Sequence, residues 1–168
     1  MTASIKQEII LSSSNTLINH SMSNQSAGVF FYSNKTNRYL YLLRIDNKNP
    51  GNWGIPGGKI EGSETLFEGL ARECIEEIGL FPPKAKLVPI QKFINHSFIY
   101  HTFFCEITDE FVPILNEEHC GYAWVGDNQY PKPLHPGLFS MVNFDVVQSK
   151  LKSFVLSIAA GNHSKSTL

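Results

Sequence analysis

The order of apolar and polar residues along the chain predicts a β-sheet that begins with a hairpin. Residues 29–32 and 39–45 are mostly apolar and aromatic, and the polar residues 33–37 between them predict a turn. Three later segments have the β-branched and aromatic composition of strands: residues 85–94, 98–108 and 121–126. Together these segments predict a sheet whose strands run in mixed directions.

A helix is predicted between the hairpin and the later strands, over residues 63–78. Ser63 is a suitable N-terminal cap, and Gly79 stands where a left-handed residue commonly ends a helix. Two prolines after residue 81 prevent the helix from continuing. Apolar residues at helical spacing predict the side of this helix that is buried: Phe67, Ala71, Cys74, Ile75 and Ile78.

The remaining segments predict loops and a last helix. Residues 46–62 are rich in glycine, asparagine and proline, so the backbone must turn repeatedly and can approach a ligand closely. Residues 131–137 form a proline-rich connector, and the spacing over residues 140–159 predicts a helix that packs on the sheet. The fold class expected from this order of elements is α+β.

Length and composition favour a single domain. The chain has 168 residues, of which 42% are hydrophobic, and this is enough to bury a substantial core. We expect the domain to span residues 27–160, with a peripheral segment at 1–26 and a frayed tail at 161–168. Such a domain folds alone or as a small oligomer, for example a homodimer.

Charge and cysteine content exclude several classes of partner. The formal net charge is −1, which does not supply the positive surface that a nucleic-acid polymer requires. Cys74, Cys105 and Cys120 lack disulfide or zinc-binding spacing, so we expect reduced thiols in a cytoplasmic protein. No apolar run has the length needed to cross a bilayer, and we expect no membrane partner.

Three carboxylates give the first sign of chemistry. Glu73, Glu76 and Glu77 lie at positions i, i+3 and i+4 of the predicted helix and therefore share one face, away from the core. Such a cluster taken alone indicates a solvated acidic face. The preceding Gly57 and Gly58 change that interpretation, because bare backbone beside carboxylates offers hard oxygen ligands to Mg²⁺ or Mn²⁺.

Residues 58–80, GKIEGSETLFEGLARECIEEIGL, fill every fixed position of the Nudix box, so the chain resembles the Nudix hydrolases. Trp53 and the Ile-Pro-Gly-Gly segment at residues 55–58 are similar to the sequence that leads into the box in that family. Cys74 stands where the pattern has an aliphatic residue, and cysteine packs as a small hydrophobe. The resemblance implies an α/β/α sandwich with a mixed sheet between helices.

The resemblance also implies a metal site and a mechanism. Glu73, Glu76 and Glu77 would bind Mg²⁺, or Mn²⁺ in its place, together with the carbonyl oxygen of Gly58. One of these acids, or a glutamate from outside the box, would take a proton from the attacking water.

Glu64 and Arg72 resemble the supporting ion pair of the box, which would hold the loop on the helix. The alternative for Arg72 is an ordinary pair with a glutamate one helical turn away, Glu68 or Glu76.

A further acid is expected from the loop before the last strand. Nudix enzymes often supply an additional carboxylate from this region, and we take Glu118 for that role. The alternative is a turn in which Glu117 and Glu118 are both solvated. We interpret the neighbouring His119 as a surface histidine.

Substrate contacts are expected from the second strand and from aromatic residues. Arg44 ends that strand and either contacts a phosphate, which suits its guanidinium geometry, or lies on the surface. Candidates for stacking on a base are Tyr32, Phe98, Tyr100, His101 and Phe103. Of these we take Phe98 and Tyr100 as substrate-binding, since alternation along a strand turns only every second residue to the site.

The activity implied by the resemblance is hydrolysis of a phosphoanhydride bond in a nucleoside diphosphate linked to another group. Markers of ADP-ribose hydrolases and of dinucleoside polyphosphate hydrolases would fall near Asn95 and Ser97, and neither is present. By elimination we expect a nucleoside triphosphate as substrate. The alternatives are a nucleotide sugar or ADP-ribose, or a Nudix-fold module that binds a nucleotide without cleaving it.

Overall fold

The computed structural model describes residues 24–165, which form a seven-stranded sheet with helices on both faces. The strands are β1 (Asn24–Ser33), β2 (Arg38–Arg44), β3 (Trp53–Gly54), β4 (Gly57–Lys59), β5 (Leu87–Asn95), β6 (Phe98–Ile107) and β7 (His119–Gly126). The helices are α1 (Leu66–Ile78), α2 (Pro136–Val142) and α3 (Asp145–Lys165). The expectations for residues 1–23 and 166–168, most of the peripheral segment and the end of the tail, lie outside the described residues.

The sheet has mixed strand directions, as predicted. β1 forms an antiparallel hairpin with β2 and runs parallel to β6 over its whole length. β5 pairs antiparallel with β6, while β3 and β7 pair with β2 and β4 pairs with β1. The parallel pair is possible because the chain crosses over through α1 before it returns to the sheet.

β5 contains an irregularity between Pro89 and Gln91, where its register with β6 shifts. Proline has no N–H to donate to the ladder, and an extra residue in one strand displaces the pairing. The carbonyl oxygen of Ile90 instead accepts a hydrogen bond from Nζ of Lys150, on α3, at 2.7 Å. A helix side chain therefore satisfies the backbone group at the shift.

Two cores lie on opposite faces of the sheet. α1 packs on one face against alternate strand residues that include Val29, Phe31 and Leu40. α2 and α3 cover the other face, where Phe30 and Tyr32 are buried. Neighbouring residues of β1 thus enter different cores, as the period of a strand requires. The predicted α+β class and its three-layer α/β/α arrangement are confirmed.

Helix α1 begins later than predicted because Thr65, not Ser63, caps it. The Thr65 hydroxyl accepts a hydrogen bond from the N–H of Glu68 at 3.2 Å, and the Glu68 carboxylate accepts one from the N–H of Thr65 at 2.8 Å. This reciprocal pair satisfies two backbone donors that a helix end leaves free. At the other end, Gly79 has a φ of 79°, which confirms the predicted left-handed residue.

The buried side of α1 differs from the predicted one. Phe67 and Ile75 were expected in the core, but they are 50% and 55% exposed. The residues that face the core are Gly69, Leu70, Cys74, Glu77 and Ile78. The expectation that all three acids point away from the core was therefore wrong for Glu77. Its carboxylate accepts a hydrogen bond from the backbone of the loop before α1.

Several boundaries also differ from the prediction. Residues 46–62, expected to be a loop, contain β3 and β4, and the helix expected at 140–159 is divided into α2 and α3. β1 begins before the expected domain boundary at residue 27, and α3 continues past the boundary at residue 160. No helix in the described part of the chain is long and apolar enough to span a bilayer.

Candidate active site

The segment that joins β3 to β4 brings glycine backbone against α1. Gly57 has a φ of 138°, in the region that favours glycine, and a Cβ here would overlap the backbone of Ala27. The N–H of Gly57 donates a hydrogen bond to Oε2 of Glu77 at 2.8 Å. A glycine is therefore required at this position for the loop to reach the acid.

Glu77 is almost fully buried, with 4% of the residue exposed. Burial raises the pKa of its carboxyl to about 8, and the negative charges of Glu73 and Glu118 act in the same direction. The Gly57 hydrogen bond and the charge of Arg44 offset part of this rise. The charged form of Glu77 is thus unfavourable at this position unless a further positive group approaches it.

The carboxylate of Glu73 lies directly against Gly58. Burial raises the pKa of Glu73, Arg72 opposes the rise, and Glu76 and Glu118 add to it. Since Glu118 acts on the pKa of both Glu73 and Glu77, these three carboxylates lie within electrostatic reach of one another. Glu118, expected to join the site from outside the box, therefore lies close to the helix acids.

Arg72 connects the loop to the helix. Its Nε and Nη2 contact the two carboxylate oxygens of Glu64 at 2.8 and 3.1 Å. Nη1 contacts Glu73 at 3.0 Å and Glu76 at 3.2 Å, and Nη2 donates to the carbonyl of Lys59 at 2.8 Å. These are the contacts that a supporting pair would make, since they join three segments rather than one helix face.

Glu76 lies on the open side of this cluster, and its side chain is 55% exposed. Glu118 is exposed as well. Across residues 24–165, no three acidic, histidine or cysteine side chains converge tightly enough, as they stand, to enclose a metal ion. Glu73 and Glu77 are thus held against the loop, Glu76 is exposed but contacts Arg72, and Glu118 is exposed.

Arg44, at the end of β2, lies beside the acids. One of its terminal nitrogens pairs with Asp46, while its Nε is buried and has no hydrogen-bond partner among the described residues. Burial lowers the pKa of His119 and of His135, and the charge of Arg44 lowers both further. The guanidinium therefore lies near the acids and both histidines, and its buried Nε donor is unused within residues 24–165.

His119 was expected on the surface, and this was wrong because only 5% of the residue is exposed. It is the first residue of β7 and pairs with Arg44 across the sheet. Its Nε2 lies 3.9 Å from Oε1 of Glu77, and its Nδ1 lies 3.1 Å from Oδ1 of Asn116. Burial lowers the pKa of His119 to about 4, so the ring is neutral at pH 7.

Of the aromatic candidates, Tyr100 lies near the acids. Its hydroxyl occupies the space that a side chain on Gly28 would fill, and burial followed by the charge of Glu77 raises its pKa. The ring of Phe98 is adjacent, with its centroid 6.3 Å from that of Tyr100. The other candidates have different surroundings: Tyr32 lies in the core under α2 and α3, Phe103 in the core under α1, and His101 beside Gln25.

Comparison with protein families shows which family has this arrangement of loop and helix. The model of the NUDIX domain matches residues 22–143, which is most of the chain. The chain belongs to the Nudix family. The resemblance inferred from residues 58–80 is confirmed, and the Nudix helix of this protein is α1.

Known Nudix relatives cover a large part of the chain. A dihydroneopterin triphosphate diphosphatase from Haemophilus influenzae is 32% identical over 119 residues, covering 61% of this chain and 73% of that protein. The nucleoside triphosphatase NudI from Salmonella heidelberg is 28% identical over 102 residues, covering 52% of this chain and 72% of that protein. The crystal structure of RenU, a Nudix hydrolase from M. smegmatis, has a TM-score of 0.62 at 20% identity over 81% of this chain and 88% of its own, which supports the fold.

Nudix hydrolases use divalent metal ions, and the residues present here fit such an ion. The available donors are carboxylate oxygens and backbone carbonyls, the hard ligands that magnesium-like ions prefer. Because Gly58 has no side chain, the carboxylate of Glu73 lies directly against it. Glu77 is buried near other acids, so a bound cation would stabilise its ionised form. The donor set therefore matches the metal chemistry of the family.

Proposed function

We propose that this Nudix pyrophosphohydrolase cleaves a nucleoside triphosphate and uses Mg²⁺, with Mn²⁺ as a substitute. The observation that carries the proposal is the position of Glu73 and Glu77 against the glycine backbone at residues 57–58, with the charge of Glu118 acting on both acids. The choice of a triphosphate is supported by the relatives, two of which are named for triphosphate substrates.

The metal would be held by Glu73, Glu76, Glu77 and Glu118 with the carbonyl of Gly58. When bound, it supplies a Lewis acid that neutralises charge developing on the phosphoryl oxygens. One of the four carboxylates accepts a proton as the water oxygen bonds to phosphorus and the bridging P–O bond breaks. The products are then a nucleoside monophosphate and pyrophosphate.

Arg72 and Glu64 would keep the acids in register. Arg72 contacts Glu73 and Glu76 with one terminal nitrogen while Glu64 holds the opposite side of the guanidinium. Orientation of ligands by partners of this kind is a general requirement of metal sites.

Substrate recognition would involve Arg44 and the aromatic pair. The partly exposed guanidinium of Arg44 would contact a phosphate oxygen, where a charge-assisted hydrogen bond is strong. Phe98 and Tyr100 would border the base, since the Tyr100 hydroxyl lies against Gly28 within electrostatic reach of Glu77 and the ring of Phe98 is adjacent.

A substrate panel tests this proposal. Dihydroneopterin triphosphate, GTP, 8-oxo-dGTP, ADP-ribose, a nucleotide sugar and a dinucleoside polyphosphate are incubated with Mg²⁺ or with EDTA, and released pyrophosphate or phosphate is measured. We expect Mg²⁺-dependent release of pyrophosphate from a triphosphate. Turnover confined to ADP-ribose or the nucleotide sugar would overturn the triphosphate assignment, and nucleotide binding without any turnover would favour a binding module.

Two variants distinguish the loss of a metal-binding carboxylate from the loss of an ordinary surface charge. Glu76→Gln keeps the shape of the side chain and removes its charge, so we expect kcat to fall by at least about a hundredfold. Glu117→Gln removes an equal charge from the loop before β7 and is expected to leave kcat within about twofold. Full activity in Glu76→Gln would argue against the proposed site.

We also propose a cytoplasmic location, which is supported by the unpaired state of Cys74, Cys105 and Cys120. A homodimer stays a prediction, and light scattering on the purified protein would test it.

A further inference from the structure

The hydrogen bonds around His119 determine which ring nitrogen carries its proton. The side-chain oxygen of Asn116 accepts hydrogen bonds from the N–H of Glu118 and from Nδ1 of His119, each at 3.1 Å. A carbonyl oxygen can only accept, so Nδ1 of His119 carries a proton and donates it to Asn116. The ring is therefore held in one orientation by Asn116.

Nε2 of His119 faces Glu77 inside the protein. It is 3.9 Å from Oε1 of Glu77, and the two side chains are 2% and 5% exposed. The other oxygen, Oε2, is fixed by the N–H of Gly57. Nε2 therefore packs against Oε1 without a hydrogen bond, and the buried ring limits the positions that this oxygen can adopt.

Asn116 also fixes the backbone that carries Glu118. The N–H of Glu118 is held by the Asn116 side chain, and its carbonyl accepts a hydrogen bond from the N–H of Ile45 at 2.8 Å. The turn is closed by a third bond, from the N–H of His119 to the carbonyl of Asn116 at 3.3 Å. Asn116 thus connects the backbone of Glu118 to the ring of His119, which lies beside Glu77.

We infer that Asn116 and His119 are positioning residues. Asn116 fixes the backbone that carries Glu118, and His119, held by Asn116, packs against the carboxylate of Glu77. The inference rests on the proposed metal-dependent function of these acids and adds two residues from outside the Nudix box. Partners that orient metal-binding groups typically change metal affinity or activity about 10- to 100-fold when removed.

The state of the ring is tested first in the unaltered protein. Long-range ¹H–¹⁵N correlation spectra at pH 7 are expected to show a proton on Nδ1 of His119. A ring that lacks this proton, or that exchanges between two tautomers, would overturn the inference without any variant being made.

Asn116→Leu tests the position of the acids, and Asn116→Asp is its conservative counterpart because it keeps both acceptor contacts. Binding of Mn²⁺ is measured by electron paramagnetic resonance without nucleotide, and kcat and KM are measured separately. We expect Asn116→Leu to weaken Mn²⁺ binding and lower kcat by about tenfold or more with KM nearly unchanged. Asn116→Asp should stay within about threefold of the unaltered protein, as should the loop control Glu117→Gln.

A folded Asn116→Leu protein with unchanged Mn²⁺ affinity and unchanged kcat would disprove the role of Asn116. If this variant does not fold, His119→Phe serves instead, because it keeps a buried ring and removes the hydrogen bond to Asn116, and the same loss is expected. Metal binding and the tautomer require no substrate. A protein that binds Mn²⁺ but hydrolyses nothing in the panel would therefore overturn the proposed function, while the Mn²⁺ affinities of the variants still decide this inference.

Discussion

The carboxylate of Glu73 occupies the space in which a side chain on Gly58 would lie. Gly58 does not have a positive φ, so alanine is compatible with its backbone and would differ only by this contact. Gly58→Ala is expected to displace Glu73 and to lower kcat by about 10- to 100-fold, because small displacements of reacting groups have large effects on rate. Steady-state kinetics and a melting curve would separate this loss from unfolding.

The control for Gly58→Ala is Gly121→Ala. A Cβ on Gly121 would meet the side chain of Leu43 at 3.6 Å, an ordinary contact. Its activity should be unchanged, and equal activity in the two variants would contradict the assigned position of Glu73.

Arg72→Lys tests the connection between loop and helix. Lysine is a point charge and cannot contact both oxygens of Glu64 together with the carbonyl of Lys59. We expect kcat to fall about tenfold while the charge is kept. Arg38→Lys is a matched control, because Arg38 also holds a glutamate with two nitrogens, Glu110, but at an exposed position. Similar kinetics in both variants would indicate that Arg72 is an ordinary surface arginine.

Gly28→Ala and Tyr100→Phe are expected to compensate for each other. A methyl group on Gly28 would overlap the Tyr100 hydroxyl, and the next neighbour, Cδ1 of Ile55, is 3.1 Å away. Overpacking of this kind destabilises a protein by about 1–3 kcal/mol. The double variant should regain much of the Tm and KM lost in Gly28→Ala. Additive effects would show that the two groups do not compete for this space.

The stability of the metal-free protein should depend on pH through Glu77. Its pKa is raised by burial from an ordinary value of 4.5 to about 8, so the folded state binds this proton more tightly than the unfolded state. This difference in pKa contributes fully to the free energy of unfolding below pH 4.5, and the contribution is lost as the pH rises through 8. In EDTA, Glu77→Gln should therefore become more stable than the unaltered protein as pH rises from 5 to 9, by about 5 °C in Tm. A constant difference in Tm across this range would exclude the raised pKa.

Thr65→Ala should destabilise the protein through the start of α1. It removes the hydroxyl that accepts the N–H of Glu68, and loss of such a cap costs about 1 kcal/mol. The expected fall in Tm is about 2–4 °C. Ser63→Ala removes a hydroxyl two residues earlier and should leave Tm unchanged. A larger fall in Tm for Ser63→Ala than for Thr65→Ala would indicate that Ser63, the residue predicted from sequence, caps the helix.

The long elements and the acids of α1 were predictable because they leave periodic or composition signals. β1, β2, β5 and β6 are rich in apolar and aromatic residues, and α1 is bounded by a cap and a glycine. The short strands β3 and β4 leave no such signal, since two or three residues pair through backbone alone. Only elements with a long regular pattern of apolar and polar residues could therefore be predicted from the sequence.

The inward orientation of Glu77 and the burial of His119 were not predictable from local sequence. A glutamate on an acidic helix face is normally solvated, but Glu77 is buried against other segments, where the N–H of Gly57 donates a hydrogen bond to it. His119 follows two glutamates and was assigned to a loop, whereas pairing with Arg44 places it at the start of β7. Both outcomes depend on contacts between segments that the chain brings together only when folded.

The interruption of β5 has a consequence for association between molecules. β5 is the last strand at its end of the described sheet, and a regular strand there would offer unpaired backbone groups to another chain. Pro89 has no N–H to offer, and the carbonyl of Ile90 is already bonded to Lys150. At Pro89 and Ile90 the edge of the sheet is therefore a poor template for a strand from a second molecule, which disfavours edge-to-edge pairing at this point.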